Sequence, residues 1–287
     1  MKRIVILLVL VAVAGAAGVV VRSSSSNGTV LHELVSHNAE DSVRDQIRQR
    51  YELAPGARVE VFGINGPVKV ETADTKTAEV YVERTGSCQE ALDRRKIYIE
   101  GSSDRLSIRA ETVEHSFFAK LFGSRASEQV TLKLPRQVSL AAKGVNGSVV
   151  VGEIEGAVEL GGINGKVNVA NAAGSATFKG INGNIFAGMK SIAQDGVTLS
   201  GINGNIELQL PADLNADFDA RGMNGRVIAD FPNVSIDKGR HGTYWARIGN
   251  GGTGISAKGI NGNIRLTTTT PATTTPATPS TARDSQN

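Results

Sequence analysis

Cysteine, histidine and aromatic side chains are scarce in this chain. Of its 287 residues one is cysteine, four are histidine and 5% are aromatic. With Cys88 alone, no intrachain disulfide can form, and its position far from the N-terminus excludes it as an acylated lipoprotein cysteine. It is expected to be a small buried hydrophobe at the start of a short helix. His32, His37, His115 and His241 are scattered, and none pairs with cysteine or carboxylate at metal-ligand spacing. No metal and no other cofactor is expected. The formal charge of +3 contains no lysine or arginine block, so nucleic acid is not an expected partner.

Catalytic signatures are missing as well. No serine or cysteine nucleophile lies in a local motif with its base. The glycine-rich turns lack the lysine of a P-loop and lead into strands rather than helices, so they do not form phosphate sites. The glycine-dense "RIGNGGTG" at 247–254 reads as a wide turn. Glu153, Glu155 and Glu159 alternate around a turn, and Asp217 and Asp219 flank Phe218. Paired carboxylates could supply an acid and a base to a carbohydrate-cleaving site if their environments differed. The same alternation is also the wet side of a half-buried strand. The expectation is a protein that is not an enzyme, with a carbohydrate-active enzyme on a β-helix as an alternative.

What the chain has in abundance is glycine, 33 residues of it, together with branched aliphatics. Gly-x-Asn-Gly occurs seven times, with candidate turn residues Gly63, Asn65, Gly66; Gly144, Asn146, Gly147; Gly162, Asn164, Gly165; and Gly180, Asn182, Gly183. The others are Gly201, Asn203, Gly204; Gly222, Asn224, Gly225; and Gly259, Asn261, Gly262. From Gly144 the starts lie 18, 18, 21, 21 and 37 residues apart, and 81 residues separate the first two copies. The longer gaps read as about two and about four periods.

Apolar residues stand two and four positions before each first glycine (Val158 and Leu160, for example) and two after each second (Val167). Alternation on both sides of a glycine-bounded corner means strand, turn, strand. Asn164 and Gly165 are expected to make the bend at positive φ. Two folds remain open. One is an all-β, single-domain β-solenoid of parallel stacked coils of about 18–21 residues, expected to be right-handed; the other is an antiparallel β-meander or sandwich. The residue between glycine and asparagine is apolar in every copy, which favours the solenoid, where it can point inward. Stacked asparagines could then form an amide ladder.

Lys2 and Arg3 precede an apolar or small run over 4–21, so residues 1–22 read as a signal peptide. The run also reaches the lower limit for spanning a bilayer, about 17 to 25 residues, so an uncleaved membrane anchor is the alternative. Residues 23–53 read as a linker with an amphipathic helix at about 40–53, where Val43, Ile47 and Tyr51 share one helical face. The repeat domain covers 54–266, with a short helix at 88–95 and a Phe-rich insertion at 113–127. Phe117, Phe118, Leu121 and Phe122 in that insertion are either a plug over the fold or an interaction loop. The Thr/Pro-rich 267–287 reads as a disordered tail.

The GIN and GVN corners, with "VTLKLPRQVSLAAKGVNGSVVV" at 130–151, resemble bacterial adhesin-type domains of unknown function. These are similar to the "head GIN domain" family of putative auto-transporter adhesins. The resemblance covers about residues 53–266 and implies an exported, envelope-associated β-solenoid, without catalytic residues to carry over. The chain departs from the auto-transporter pattern, since no strands for a translocating barrel follow residue 266. The expected function is an exported scaffold in the periplasm, envelope or extracellular space, possessing adhesin-like interaction surfaces for polysaccharide or an envelope protein. A membrane-anchored accessory or sensor protein of envelope stress signalling is the runner-up.

Overall fold

The computed structural model describes residues 23–25, 28–33, 42–113, 126–231 and 234–268. The signal run, the Phe-rich segment bearing Phe117, Phe118, Leu121 and Phe122, and the tail from 269 lie outside the described residues. The described chain is all-β apart from one short helix, Gln89–Arg94. Its strands form two mixed sheets of 12 and 11 strands, arranged like a sandwich around a shared apolar core.

Each motif copy carries the chain from one sheet to the other. Val158–Asn164 lies in the 11-stranded sheet, Val167–Ala172 in the 12-stranded one, and Ala176–Asn182 returns to the first. Equivalent strands pair in parallel and in register, with Leu160 opposite Phe178, Ile163 opposite Ile181 and Asn164 opposite Asn182. Val167 likewise faces Ile185 in the other sheet. The strands of the motif copies therefore do not pair as an antiparallel meander. We call each such corner with its two strands a rung.

Binary pattern explains the core. Alternate residues of each strand point inward, and Val158, Leu160, Val167 and Val169 are all buried. The residue between glycine and asparagine is buried in every copy, from Ile64 to Ile260, with Met223 the most exposed at 7%. Burying one such side chain contributes about 1.5 to 3 kcal/mol, so seven of them make the corners part of the core. The gap between the sheets is filled chiefly by Val, Ile, Leu and Ala, with Phe178 and Phe218 among the largest side chains it encloses.

The order of the rungs differs from the order in sequence. The first two copies, 81 residues apart, are direct neighbours: Arg58–Phe62 pairs with Ser139–Lys143, and Val68–Ala73 with Val149–Ile154. The intervening chain is not four further coils. It contributes one more parallel pair of strands below the first rung, Arg105–Thr112 and Ala126–Pro135. It also supplies antiparallel strands: Arg95–Gly101 at the edge of the 11-stranded sheet, and Thr77–Gly86 beside Ala126–Pro135 in the 12-stranded one. At the other end the 37-residue gap is not two coils either. Thr253–Asn261 inserts between Val197–Asn203 and Ala216–Arg221, so the seventh copy lies between the fifth and the sixth.

Three further expectations are corrected. Residues 43–52 form a strand, Val43–Glu52, paired antiparallel with Thr77–Gly86, rather than a helix. Val43, Ile47 and Tyr51 are spaced by four, which places them on one face of a helix and equally on one face of a strand. Residues 23–53 are accordingly not a bare linker, since Ser23–Ser25 and Gly28–Glu33 also belong to the 12-stranded sheet. Cys88 does stand at the start of the short helix, but it is exposed, while Ala91 and Leu92 supply the buried contacts there.

The third correction concerns the bend. The first glycine, not the asparagine, takes the left-handed conformation: Gly162 has φ 59°, and no corner asparagine has positive φ. The second glycine is needed for another reason. A Cβ on Gly165 would lie 2.4 Å from the carbonyl oxygen of Gly147 in the rung below, whereas one on Gly162 would meet nothing closer than 3.4 Å. Gly162→Ala is therefore expected to cost about 1 to 2 kcal/mol through backbone strain. Gly165→Ala should cost about 3 kcal/mol, because stacked backbones must separate. Urea unfolding of the two variants checks this; a neutral Gly165→Ala would sink the close-approach argument.

Candidate functional site

The corner asparagines, dispersed from Asn65 to Asn261 in the sequence, meet in one line. Asn146 Nδ2 donates to Asn65 Oδ1 at 2.9 Å, Asn164 to Asn146 at 3.1 Å and Asn182 to Asn164 at 3.1 Å. Asn203 then donates to Asn182 at 3.1 Å, Asn261 to Asn203 at 2.9 Å and Asn224 to Asn261 at 2.9 Å. All six bonds run in the same sense, so each amide polarises the next. The backbone follows the same path, with Asn164 N–H donating to Val145 O and Gly165 N–H to Asn182 O. The candidate turn residues are thus assembled into a continuous polar edge whose amides hold one another.

The lower end of this ladder is closed by residues that motif reading missed. Asn65 has no corner below it. Its Nδ2 donates to Ala126 O at 2.7 Å, and its backbone N–H donates to Glu128 Oε2 at 2.7 Å. The Glu128 side chain is fully buried and pairs with Arg95, whose Nε donates to Oε1 at 2.8 Å. Arg95 also donates to Gly63 O, joining the helix end to the first corner. Glu128 and Arg95 belong to no repeat, so only the geometry of a ladder end could have picked them out.

A second row lies one position after the second glycine, on the outer face of the 12-stranded sheet. Asn184 Oδ1 accepts the N–H of Asn205, Asn205 Oδ1 that of Asn263, and Asn263 Oδ1 that of Arg226, each at 3.0 Å. Lys166 and the three asparagines border a shallow groove of about 470 Å³, which also includes Asn168, Phe186, Glu207 and Arg265. Lys166, Asn168, Asn184, Asn205, Glu207 and Arg226 are all exposed, as the alternation predicts.

Four of the five acids examined for catalysis, Glu153, Glu159, Asp217 and Asp219, sit in ion pairs. Glu159 accepts from Lys143 at 2.6 Å and from Arg58 at 3.4 Å; Glu153 contacts Arg136 at 3.3 Å and Lys190 at 3.4 Å. Asp217 accepts the Gly252 N–H at 3.0 Å and Arg247 Nε at 3.2 Å, which ties down the glycine-dense turn. Asp219 takes two bonds from Arg221. The hydrogen bond from Lys143 holds the Glu159 carboxyl below the usual carboxylate range. The Gly252 N–H, then Arg247, does the same for Asp217. A general acid needs the opposite, a carboxyl raised so as to keep its proton.

Among the described residues no group of three histidine, cysteine or acidic side chains is placed to hold a metal ion. His241 lies in an exposed turn at φ 55°, and His37 and His115 lie outside the described residues. No helix among the described residues is long and apolar enough to cross a membrane.

No protein-family model matches the chain, and no curated protein matches it. Among solved structures it is similar to a putative cell adhesion protein from Clostridium sporogenes, at 12% identity and TM-score 0.38 over 77% of this chain and 99% of that one. It is similar also to a putative adhesin from Bacteroides fragilis, at 12% identity and TM-score 0.38 over 77% and 96%. A putative lipid binding protein from Parabacteroides distasonis matches at 12% identity and TM-score 0.23 over 78% and 97%.

Two outcomes follow from the ion pairs. Glu128→Gln leaves Arg95 without its charged partner and should lower stability by about 3 kcal/mol, whereas adding Arg95→Met should recover much of the loss. Chemical denaturation of the single and double variants reads this directly. Depressed carboxylates stabilise the fold above their unfolded pKa, about 4, and that contribution disappears as pH falls through the folded value. Melting temperature should therefore drop as pH falls below about 4, and Glu159→Gln should make that drop shallower in thermal melts across the range.

Proposed function

We propose that this chain is an exported, non-enzymatic protein of the cell envelope, adhesin-like in role, acting as an interaction scaffold. Its parallel rungs are read as coils of a β-solenoid, with the right-handed winding that parallel crossovers favour. The observation that carries the proposal is the use of the repeat. Seven copies of one motif bond to one another, and the regular product is a set of straight polar rows facing solvent. Many weak contacts along such rows sum to useful affinity for a repetitive partner, polysaccharide or envelope protein. The apolar run after Lys2 and Arg3 supports export, with the segment either cleaved or kept as an anchor.

The full chain, expressed in a bacterial host, should partition with the envelope or medium and be accessible to protease once the outer layers are opened. Purified chain should bind isolated envelope material in a pull-down. Retention in the cytoplasm together with no binding to any envelope fraction would end this reading.

A further inference from the structure

The outer row of the 12-stranded sheet has an unusual chemistry. Five successive rungs place Lys166, Asn184, Asn205, Asn263 and Arg226 at the same position, one residue past the second glycine. Neighbouring strands lie about 4.8 Å apart, so the five side chains form an evenly spaced line. The amide oxygens of the three asparagines are already engaged by the backbone N–H of the next rung. That fixes the flip of each amide and leaves its NH₂ facing outward, without a partner among the described residues. Lys166 and Arg226, at the two ends, are exposed and have no ion-pair partner among the described residues. The row therefore presents only donors, and cations at both ends.

We propose that this row is a binding track for a linear anionic polysaccharide, one bearing carboxylate or phosphate groups along its backbone. The proposal rests on the envelope-scaffold reading above and names the ligand class for it. A donor-only line with a positive charge at each end complements a chain of acceptors carrying negative charge. Half-buried Phe186, in the next row between Asn168 and Glu207, adds an apolar floor for the face of a sugar ring. Among the described residues Glu207 is the only carboxylate lining the groove; it faces Arg265 in register, and Arg265 donates to Asp230 at 2.7 Å. The even spacing of the donors suits an extended, repeating polymer better than a compact ion.

The test is biolayer interferometry on the full chain with polygalacturonate, a phosphodiester-linked polysaccharide, neutral dextran and duplex DNA as probes. Polygalacturonate or the phosphate polymer should bind at least about tenfold tighter than dextran, with affinity falling as salt rises. Which of the two binds tighter identifies the anionic group. Asn205→Asp keeps the oxygen that accepts the Asn263 N–H but replaces the outward donor with a repelling charge; it should reduce affinity about tenfold or more. Lys166→Ala and Arg226→Ala remove side chains with no described partner, so they test the track even if Asn205→Asp were to misfold. Equal binding of dextran, tighter binding of DNA than of either acidic polymer, or unchanged affinity in the three variants would overturn the track. If envelope material were still retained by all three variants, the track would be wrong and the broader scaffold reading would stand.

Discussion

The contact on which the rest of the structure depends is backbone against backbone at the corners. Gly165 approaches the carbonyl oxygen of Gly147 so closely that no side chain fits between them, and Gly183 stands over Gly165 in the same way. That approach holds successive rungs in register with no lateral slip. Register in turn puts Ile163 over Ile181 in the core and Asn164 over Asn182 on the edge. A shift of one residue would expose the whole apolar set, because side chains alternate with period two. The two glycines of the motif therefore serve different constraints, a left-handed kink at the first and a steric one at the second, where five of the seven copies also hold φ between 149° and 158°.

A parallel stack leaves unsatisfied groups at both ends, and the chain treats each end differently. Below, Glu128 and the Ala126 carbonyl stand where another corner would be, and Arg95 neutralises the buried charge. Above, the Gly242 carbonyl accepts the Met223 N–H, and the Tyr244 hydroxyl donates to Gly225 O. Antiparallel strands continue both sheets past the parallel region at the lower end, and the 11-stranded sheet at the upper end, while Val227–Asp230 forms the upper edge of the 12-stranded sheet.

Much of this was legible from residues alone. The alternation around each Gly-x-Asn-Gly told inside from outside, and the apolar second position told that the corner is packed rather than solvated. The amide ladder followed from stacking identical residues. The helix at 40–53 was misread because apolar residues four apart satisfy both periodicities, and only pairing with Thr77–Gly86 separates them. Assigning the bend to asparagine followed from hairpin habits, which do not govern a corner that crosses between sheets. The order of the rungs was out of reach for a different reason. Spacing along the chain says how many residues intervene, not on which side of a stack they return. Glu128 had no repeat to announce it, and the donor-only character of Asn184, Asn205 and Asn263 appears only once their oxygens are seen to be occupied.

The interleaved order of the last corners has a temporal consequence. Ala216–Arg221 is made before Thr253–Asn261, yet in the finished sheet it lies beyond it. A nascent chain emerging from its N-terminus can lay down successive levels only as far as the Gly201 corner. The Gly222 corner then has no seat until Thr253–Asn261 arrives, so the upper end closes only after that later segment has been made. Contacts of such long separation form late and slowly. A chain built this way keeps one end of its stack open until Thr253–Asn261 has been made and seated.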